Sequence, residues 1–456
     1  MCTASSHVAL VAFPFGSHPA ALFHVARALS AAKPPGAAFS FLSTAASLGP
    51  LASDGDNLRL VAIDDGVPDG LGPPPPPPSP EVERRIGMFL EAAAAGGIME
   101  GVKKAEAAAG GVAVSCVVSD AFMWMAAEVA AQLGVPWVPL WPGATSALLA
   151  HLNTDLIRRT IGVGAQVLLK PDDPLHIIPG LATHRLRDLP EGIVSGDLDS
   201  LFHRLLHRMS EHLPRATVLV LNTFSGLDPL VDADLATVFP TYLPIGPNHL
   251  RSSPPAASDP FNCLTWLDSH KPRTVAYVAF GTTVSLPPHE LRELALGLEE
   301  SNAPFLWSLK EKERKNLPPG FLERTKERGL IVSWAPQVAA LRHEAVGAMV
   351  GHAGWNSVLE AMSCGAPMAC RPFFGDHGMA ARSVSHVWGV GLEFDGGALT
   401  KDRVVAALDV LLRSEEGRRM REKAGELKRK VLKAFEGEQG SSNENFSRFV
   451  KIVCGL

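Results

Sequence analysis

Residues 334–377, WAPQVAALRHEAVGAMVGHAGWNSVLEAMSCGAPMACRPFFGDH, constrain this chain more than any other stretch. The apolar runs 330–332, 348–350 and 368–370 are short and bounded by polar residues, Gly or Pro, the pattern of strands buried in a parallel sheet. Residues 354–362 read as a helix whose first turn carries Trp355, Asn356 and Ser357. A helix N-terminus offers unpaired N–H groups and a partial positive charge, so it can hold a phosphate without a metal. His352 adds a donor just before that turn, Glu360 lies one turn along, and Asp376-His377 closes the stretch on a loop. Trp334 supplies an aromatic face. Together these groups suit a nucleotide sugar.

The rest of the chain repeats the strand–helix theme. The run 8–15 ends at Gly16-Ser17-His18, and Pro19 opens a helix to about residue 31, with Pro in the first turn, where it is tolerated. His18 therefore lies at the carboxyl end of the first strand, where open α/β sheets bind ligands. Further strands are expected at 39–43, 58–63, 114–119, 137–140 and 218–222, with Ala-rich helices over 81–108 and 122–133. In the second half strands fall at 275–280 and 305–309, a charged surface helix at 414–435 and a closing helix at 443–453. Such alternation argues for doubly wound parallel sheets. At 456 residues the chain suggests two or three domains. The Pro-rich stretch 244–260 is the natural linker, giving domains at 1–245 and 263–435, a linker at 246–262 and a C-terminal segment at 436–456. Residues 72–80, GPPPPPPSP, read as a polyproline II surface spacer.

Composition excludes several classes. A net charge of −5 gives no reason to expect nucleic acid or an anionic membrane as partner. Six scattered cysteines without C-x-x-C spacing read as free thiols in a reducing cytosol. No run is long and apolar enough to span a membrane, and the N-terminus lacks the basic region of a signal peptide. A nicotinamide-dependent oxidoreductase would need a glycine fingerprint after the first strand, but residues 11–20 supply one glycine. The D-x-D at Asp232-Ala233-Asp234 reads as solvated charge on a surface helix, not a metal site.

The 334–377 skeleton, W-x-P-Q, H-x-G-W-N-S, E, G-x-P and P-x-x-x-D, resembles the signature box of the plant secondary-product UDP-glycosyltransferases. The resemblance extends over nearly the whole chain. It implies a GT-B architecture of two facing Rossmann-like domains, with the closing helix packed back on the first. It also implies an inverting, metal-independent sugar transfer by a monomer, with the UDP-sugar as co-substrate and no cofactor. His18 becomes the general base, since imidazole titrates near neutral pH, and Asp120 at the end of the 114–119 strand orients it. By the same resemblance Trp334 stacks on uracil, bordered by Ser308, the Ala335 backbone and Gln337. Glu360 takes the ribose hydroxyls, and His352, Asn356, Ser357 and Thr282 hold the diphosphate. Trp355, Asp376, His377 and Pro142 fall at the sugar.

Two departures bear on the sugar. Glucose-using members usually end the box in Asp-Gln and carry Trp-Thr after a strand. Here the pairs are Asp376-His377 and Trp141-Pro142. Pro offers apolar carbon where Thr would meet the sugar's 6-hydroxyl, which favours UDP-rhamnose, with UDP-glucose and UDP-galactose as alternatives. Stretches such as VAFPFGSH, VVSDAFMW and HRLRDLPEGIVSGD resemble flavonoid 3-O-glycosyltransferases and imply a flavonol acceptor. Its expected pocket is lined by Phe15, Glu83, Phe122, His151, Leu189 and Phe373. A non-catalytic relative would keep the pocket and lose the base; both His18 and Asp120 are present.

Overall fold

The computed structural model describes residues 6–51, 57–68, 80–165, 167–251, 259–394 and 397–456. The proline spacer up to residue 79, residues 252–258 of the expected linker, and Cys2 lie outside the described residues. Two parallel sheets organise the molecule. The first holds β1 (His7–Val11), β2 (Ala38–Thr44), β3 (Leu58–Ile63), β4 (Cys116–Asp120), β5 (Trp137–Trp141), β6 (Leu219–Leu221) and β7 (Tyr242–Pro244). The second holds β8 (Val275–Ala279), β9 (Phe305–Ser308), β10 (Gly329–Val332), β11 (Val346–Gly351), β12 (Met368–Cys370) and β13 (Gly391–Glu393).

Strand order is β3-β2-β1-β4-β5-β6-β7 in the first sheet and β10-β9-β8-β11-β12-β13 in the second. In each, the order reverses direction beside the sheet's own first strand, between β1 and β4 and between β8 and β11. Crevices form outside the carboxyl ends of strands at such reversals, because the connecting helices leave to opposite faces. The central strands β1, β4, β5, β8 and β11 are buried along their whole length. β10, expected to be buried, is the edge of its sheet, and only Val332 is fully covered.

Two features depart from the expected helices. The stretch expected as one helix over 81–108 divides into Pro80–Ala92 and Ile98–Ala108 across a wide turn, where Gly96 takes φ +112°. The Ala-rich periodicity continues through the break and hides it; only the Gly96-Gly97 pair marks it. The charged helix Glu415–Ala434 is solvated on one face but buries Met420, Ala424, Leu427 and Val431 on the other.

The helix Ser441–Cys454 packs across β1, β4 and β7 of the first sheet. Phe449, Val453 and Cys454 insert into the cluster formed by Val8, Leu10, Phe39 and Val118. Phe449 is completely buried. Phe449→Ala is expected to destabilise the first domain by about 3 kcal/mol, the usual loss for a core aromatic. Thermal unfolding would show it as a first-domain transition moved to lower temperature.

Candidate active site

The first crevice holds His18 and Asp120. His18 is the first residue of the helix His18–Ala31 after β1, and Asp120 is the last residue of β4. Parallel pairing of β1 with β4 aligns Val11 with Ser119, so the two side chains meet just beyond the strand ends. His18 Nδ1 lies 2.7 Å from Asp120 Oδ2, and Asp120 Oδ1 accepts the Phe122 backbone N–H at 2.9 Å. Asp120 is completely buried, and a carboxylate only accepts. His18 Nδ1 therefore carries the proton, and Nε2 keeps its lone pair for a substrate. Burial pulls the His18 pKa down, but the Asp120 charge and hydrogen bond, with a smaller pull from Asp376, leave it above the ordinary histidine value.

An aromatic wall surrounds this pair. Phe122 lies 4.5 Å from the His18 ring and 5.9 Å from Trp141 between centroids. Phe13 lies 5.2 Å from both His18 and Phe15, and Phe89 lies 6.0 Å from Phe15. Phe89 and Phe202 belong to the wall although no motif in the sequence marked them, and Phe13 joins it from within VAFPFGSH, where no role was assigned to it. His151 sits 6.0 Å from Trp141 and lies in a group with Thr154, Glu191, His203 and His207. Burial holds its pKa down at about 4, so it is neutral near pH 7. Leu189 is buried in the first-domain core. Pro142 follows β5, next to Trp141 and Gly143, at the same end of the sheet.

Two residues expected in this pocket are elsewhere. Glu83 is exposed, and it lies about 120° around its helix from Phe89, the residue that faces the wall. Phe373 packs in the second domain, 6.2 Å from Phe280 and beneath the Arg371 guanidinium at 4.2 Å. Aromatic or acidic character alone could not show which wall a side chain joins.

The second crevice is built from the ends of β8 and β11. Thr282 lies exposed beyond β8, and Ser308 ends β9. After β11 the chain turns through Ala353, which is fully buried at φ +60°, and enters the helix Trp355–Cys364. Holding a non-glycine residue there costs roughly 1–2 kcal/mol. No side chain caps the helix start, so its first N–H groups remain available to an anion. A Cβ on Gly354 would fall 2.3 Å from His352 Nε2, so only glycine lets the imidazole lie across the turn. Burial chiefly, with the neighbouring His377 and Lys310, lowers the His352 pKa to about 3. Burial lowers that of His377 to about 4. The two rings meet edge to face at 4.9 Å as neutral imidazoles, each with a buried Nδ1 that has no partner among the described residues.

Trp334 is 48% exposed, an open aromatic face at the crevice, while Ala335 beside it is buried. Tyr277 donates its hydroxyl to Gln337 Oε1 at 3.2 Å, which fixes the amide so that Nε2 donates to Ser357 Oγ and Glu360 Oε2. Burial raises the Glu360 pKa to about 7, against the smaller lowering effect of Gln337.

The crevices face each other, and side chains cross between them. Asp376 Oδ2 accepts the Ala144 N–H at 2.8 Å, bringing the end of the box to the His18 side. Asn222 Nδ2 donates to Asn356 Oδ1 at 3.1 Å. Trp355, expected at the sugar, instead donates Nε1 to the Asn222 carbonyl at 2.7 Å and is 5% exposed. At the first position of a helix the side chain leans back past the N-terminus, and here the first domain occupies that direction. The expected solvated pair Asp232 and Asp234 is also structural. Asp232 Oδ2 accepts the Gly226 N–H at 3.2 Å, and Asp234 Oδ2 accepts the Gly180 N–H at 2.8 Å.

A histidine held by a buried carboxylate on one wall, and an uncapped helix start with an aromatic face on the other, suit a GT-B transferase acting on a nucleotide-activated sugar. The chain belongs to the UDP-glucoronosyl and UDP-glucosyl transferase family, whose sequence profile matches residues 79–422. It is 53% identical to an anthocyanidin 3-O-glucosyltransferase of Zea mays, over 98% of this chain and 97% of that protein. It is 50% identical to a myricetin 3-O-rhamnosyltransferase of Crocosmia x crocosmiiflora, over 98% of each. The crystal structure of a UDP-glucose:anthocyanidin 3-O-glucosyltransferase bound to UDP superposes with a TM-score of 0.91 at 37% identity, covering 99% of each chain. No helix among the described residues is long and apolar enough to cross a membrane.

Proposed function

We propose that this UDP-glycosyltransferase transfers glucose from UDP-glucose to the 3-hydroxyl of a flavonoid. The observation that carries the mechanism is the 2.7 Å His18–Asp120 pair, set in an aromatic wall opposite the anion-binding helix start. His18 Nε2 takes the proton from the acceptor hydroxyl, and Asp120 stabilises the imidazolium that forms. The freed oxygen attacks the anomeric carbon, the bond from that carbon to the β-phosphate oxygen breaks, and UDP departs. Attack opposite the leaving group inverts the anomeric centre. The helix start at Trp355, with Asn356, Ser357, His352 and Thr282, meets the charge developing on the diphosphate, so the reading needs neither a metal nor a cofactor. Trp334 and Ser308 take the uracil and Glu360 the ribose. The thiols of Cys116, Cys263, Cys370 and Cys454 are buried and unpaired, in keeping with a reducing cytosolic setting.

The 3-O position rests on the relatives, which share it across both sugars. The sequence favoured rhamnose; the glucosyltransferase relatives shift the donor to glucose. UDP-rhamnose remains the second reading, supported by Pro142, whose apolar carbon offers little to a 6-hydroxyl, and by His377 where glucose-using members usually carry Gln. Initial rates with a flavonol and an anthocyanidin against UDP-glucose, UDP-rhamnose and UDP-galactose decide it. Glucoside is expected to dominate. If rhamnoside dominates, the glucose assignment falls, and Pro142→Thr with His377→Gln should then move preference toward glucose. Failure to glycosylate any flavonoid would remove the acceptor assignment.

A further inference from the structure

Residues 183–188 overlap the HRLRDLPEGIVSGD stretch but have no role in the site described above, and they hold the second domain through a buried set of charges. Arg185 is 7% exposed and Asp188 is 2% exposed. Arg185 Nη2 donates to Asp188 Oδ1 at 2.8 Å and to both oxygens of Glu393 at 2.8 and 3.0 Å, while Nη1 reaches Asp172 at 3.5 Å. Glu393 ends β13 of the second domain. Around this centre, Arg382 Nε donates to the Thr183 carbonyl at 2.9 Å and lies 3.8 Å from Asp188. His184 Nε2 lies 3.2 Å from Ser383 Oγ. A Cβ on Gly378 would fall 2.7 Å from the Asp188 carbonyl oxygen, so the two backbones touch.

Gly378, Arg382 and Ser383 belong to, or directly follow, the helix His377–Arg382, whose preceding residue is Asp376. That one helix is thus gripped along its length by the first domain, and at its start lie Asp376, which reaches the His18 side, and His377, which meets His352. Burying several charges is expensive, and an apolar contact of the same shape is often as stable, so a fixed geometry is what such a set supplies beyond adhesion. The residues assigned to uracil, ribose and diphosphate lie on other elements, between Thr282 and Glu360.

We propose that Arg185 is a positioning residue: through Asp188 and Glu393 it sets the helix His377–Arg382, and so aims Asp376 and His377 at the transferred sugar. This rests on the reading that those two residues meet the sugar. The test compares Arg185→Lys, which keeps the charge but loses the forked contact, with Glu393→Gln, which keeps the shape but loses the charge. For each, the dissociation constants of UDP and of intact UDP-glucose are measured without acceptor, alongside the thermal midpoint. UDP affinity should stay within about twofold, because its partners are elsewhere. UDP-glucose affinity should fall about tenfold, the loss of one charge-assisted contact. A parallel fall for both ligands, or no fall for either, would overturn the proposal. Asp376→Ala separates the two layers. If it leaves the ratio of UDP-glucose to UDP affinity unchanged, the sugar assignment of Asp376 fails, whatever Arg185 does.

Discussion

His18→Ala is expected to lower kcat by about 10²- to 10⁴-fold, the range a general base contributes, while UDP affinity stays unchanged. Single-turnover rates with saturating donor would measure it. The pH profile supplies a sharper check. His18 must be neutral to accept a proton, so kcat/KM should rise with pH through its pKa, which Asp120 holds above the ordinary value. In Asp120→Asn the opposing effect of burial is left in control, and the rising limb should move to lower pH. The plateau should fall as well, because the imidazolium loses its counter-charge. A limb that does not move would assign the titration to another group. Stability follows with the same sign: a raised histidine pKa contributes stability fully present below about 6.5, lost as pH rises through the folded value.

Glu360→Gln is expected to act in opposite directions on stability and binding. The carboxyl pKa rises from 4.5 to about 7 in the folded chain because burial disfavours its charge. The folded state therefore holds the proton more tightly than the unfolded state, and wild-type stability falls as pH climbs between those values. Above pH 7 the accumulated cost is on the order of 3 kcal/mol. Gln carries no such charge, so the variant should gain stability over wild type at pH 8 and show no gain at pH 4. Loss of the ionised acceptor should weaken UDP binding by about 10- to 100-fold above pH 7, the value of a hydrogen bond to a charged group. Thermal midpoints and UDP titrations at both pH values measure the two effects. Equal midpoints at pH 8 would show that the carboxyl is not strained by burial.

The site was legible where chemistry follows position along the chain. His18 and Asp120 could be paired because both fall at carboxyl ends of apolar runs, and a doubly wound sheet brings such ends together. The helix start at Trp355 was readable from its spacing after β11. What the chain hid was tertiary direction. Trp355 carries the same indole whether it faces a sugar or plugs into Asn222, and only the position of the first domain decides. Glu83 and Phe373 were assigned by residue type, which does not fix a helix face or a domain. The contacts of residues 183–188 join positions some two hundred apart, and a local pattern does not carry that. Strands β7 and β13, three residues each, are too short to show a period of two.

The helix Ser441–Cys454 covers the first sheet but is made after the last strand of the second. During synthesis the first domain's sheet therefore waits, with Val8, Leu10 and Val118 lacking Phe449, until the second domain has left the ribosome. Folding order along this chain is not domain order: the half that begins first is closed last, by residues from the far end. A chain released before residue 441 would carry its second sheet beside a first sheet with part of its apolar face open to solvent.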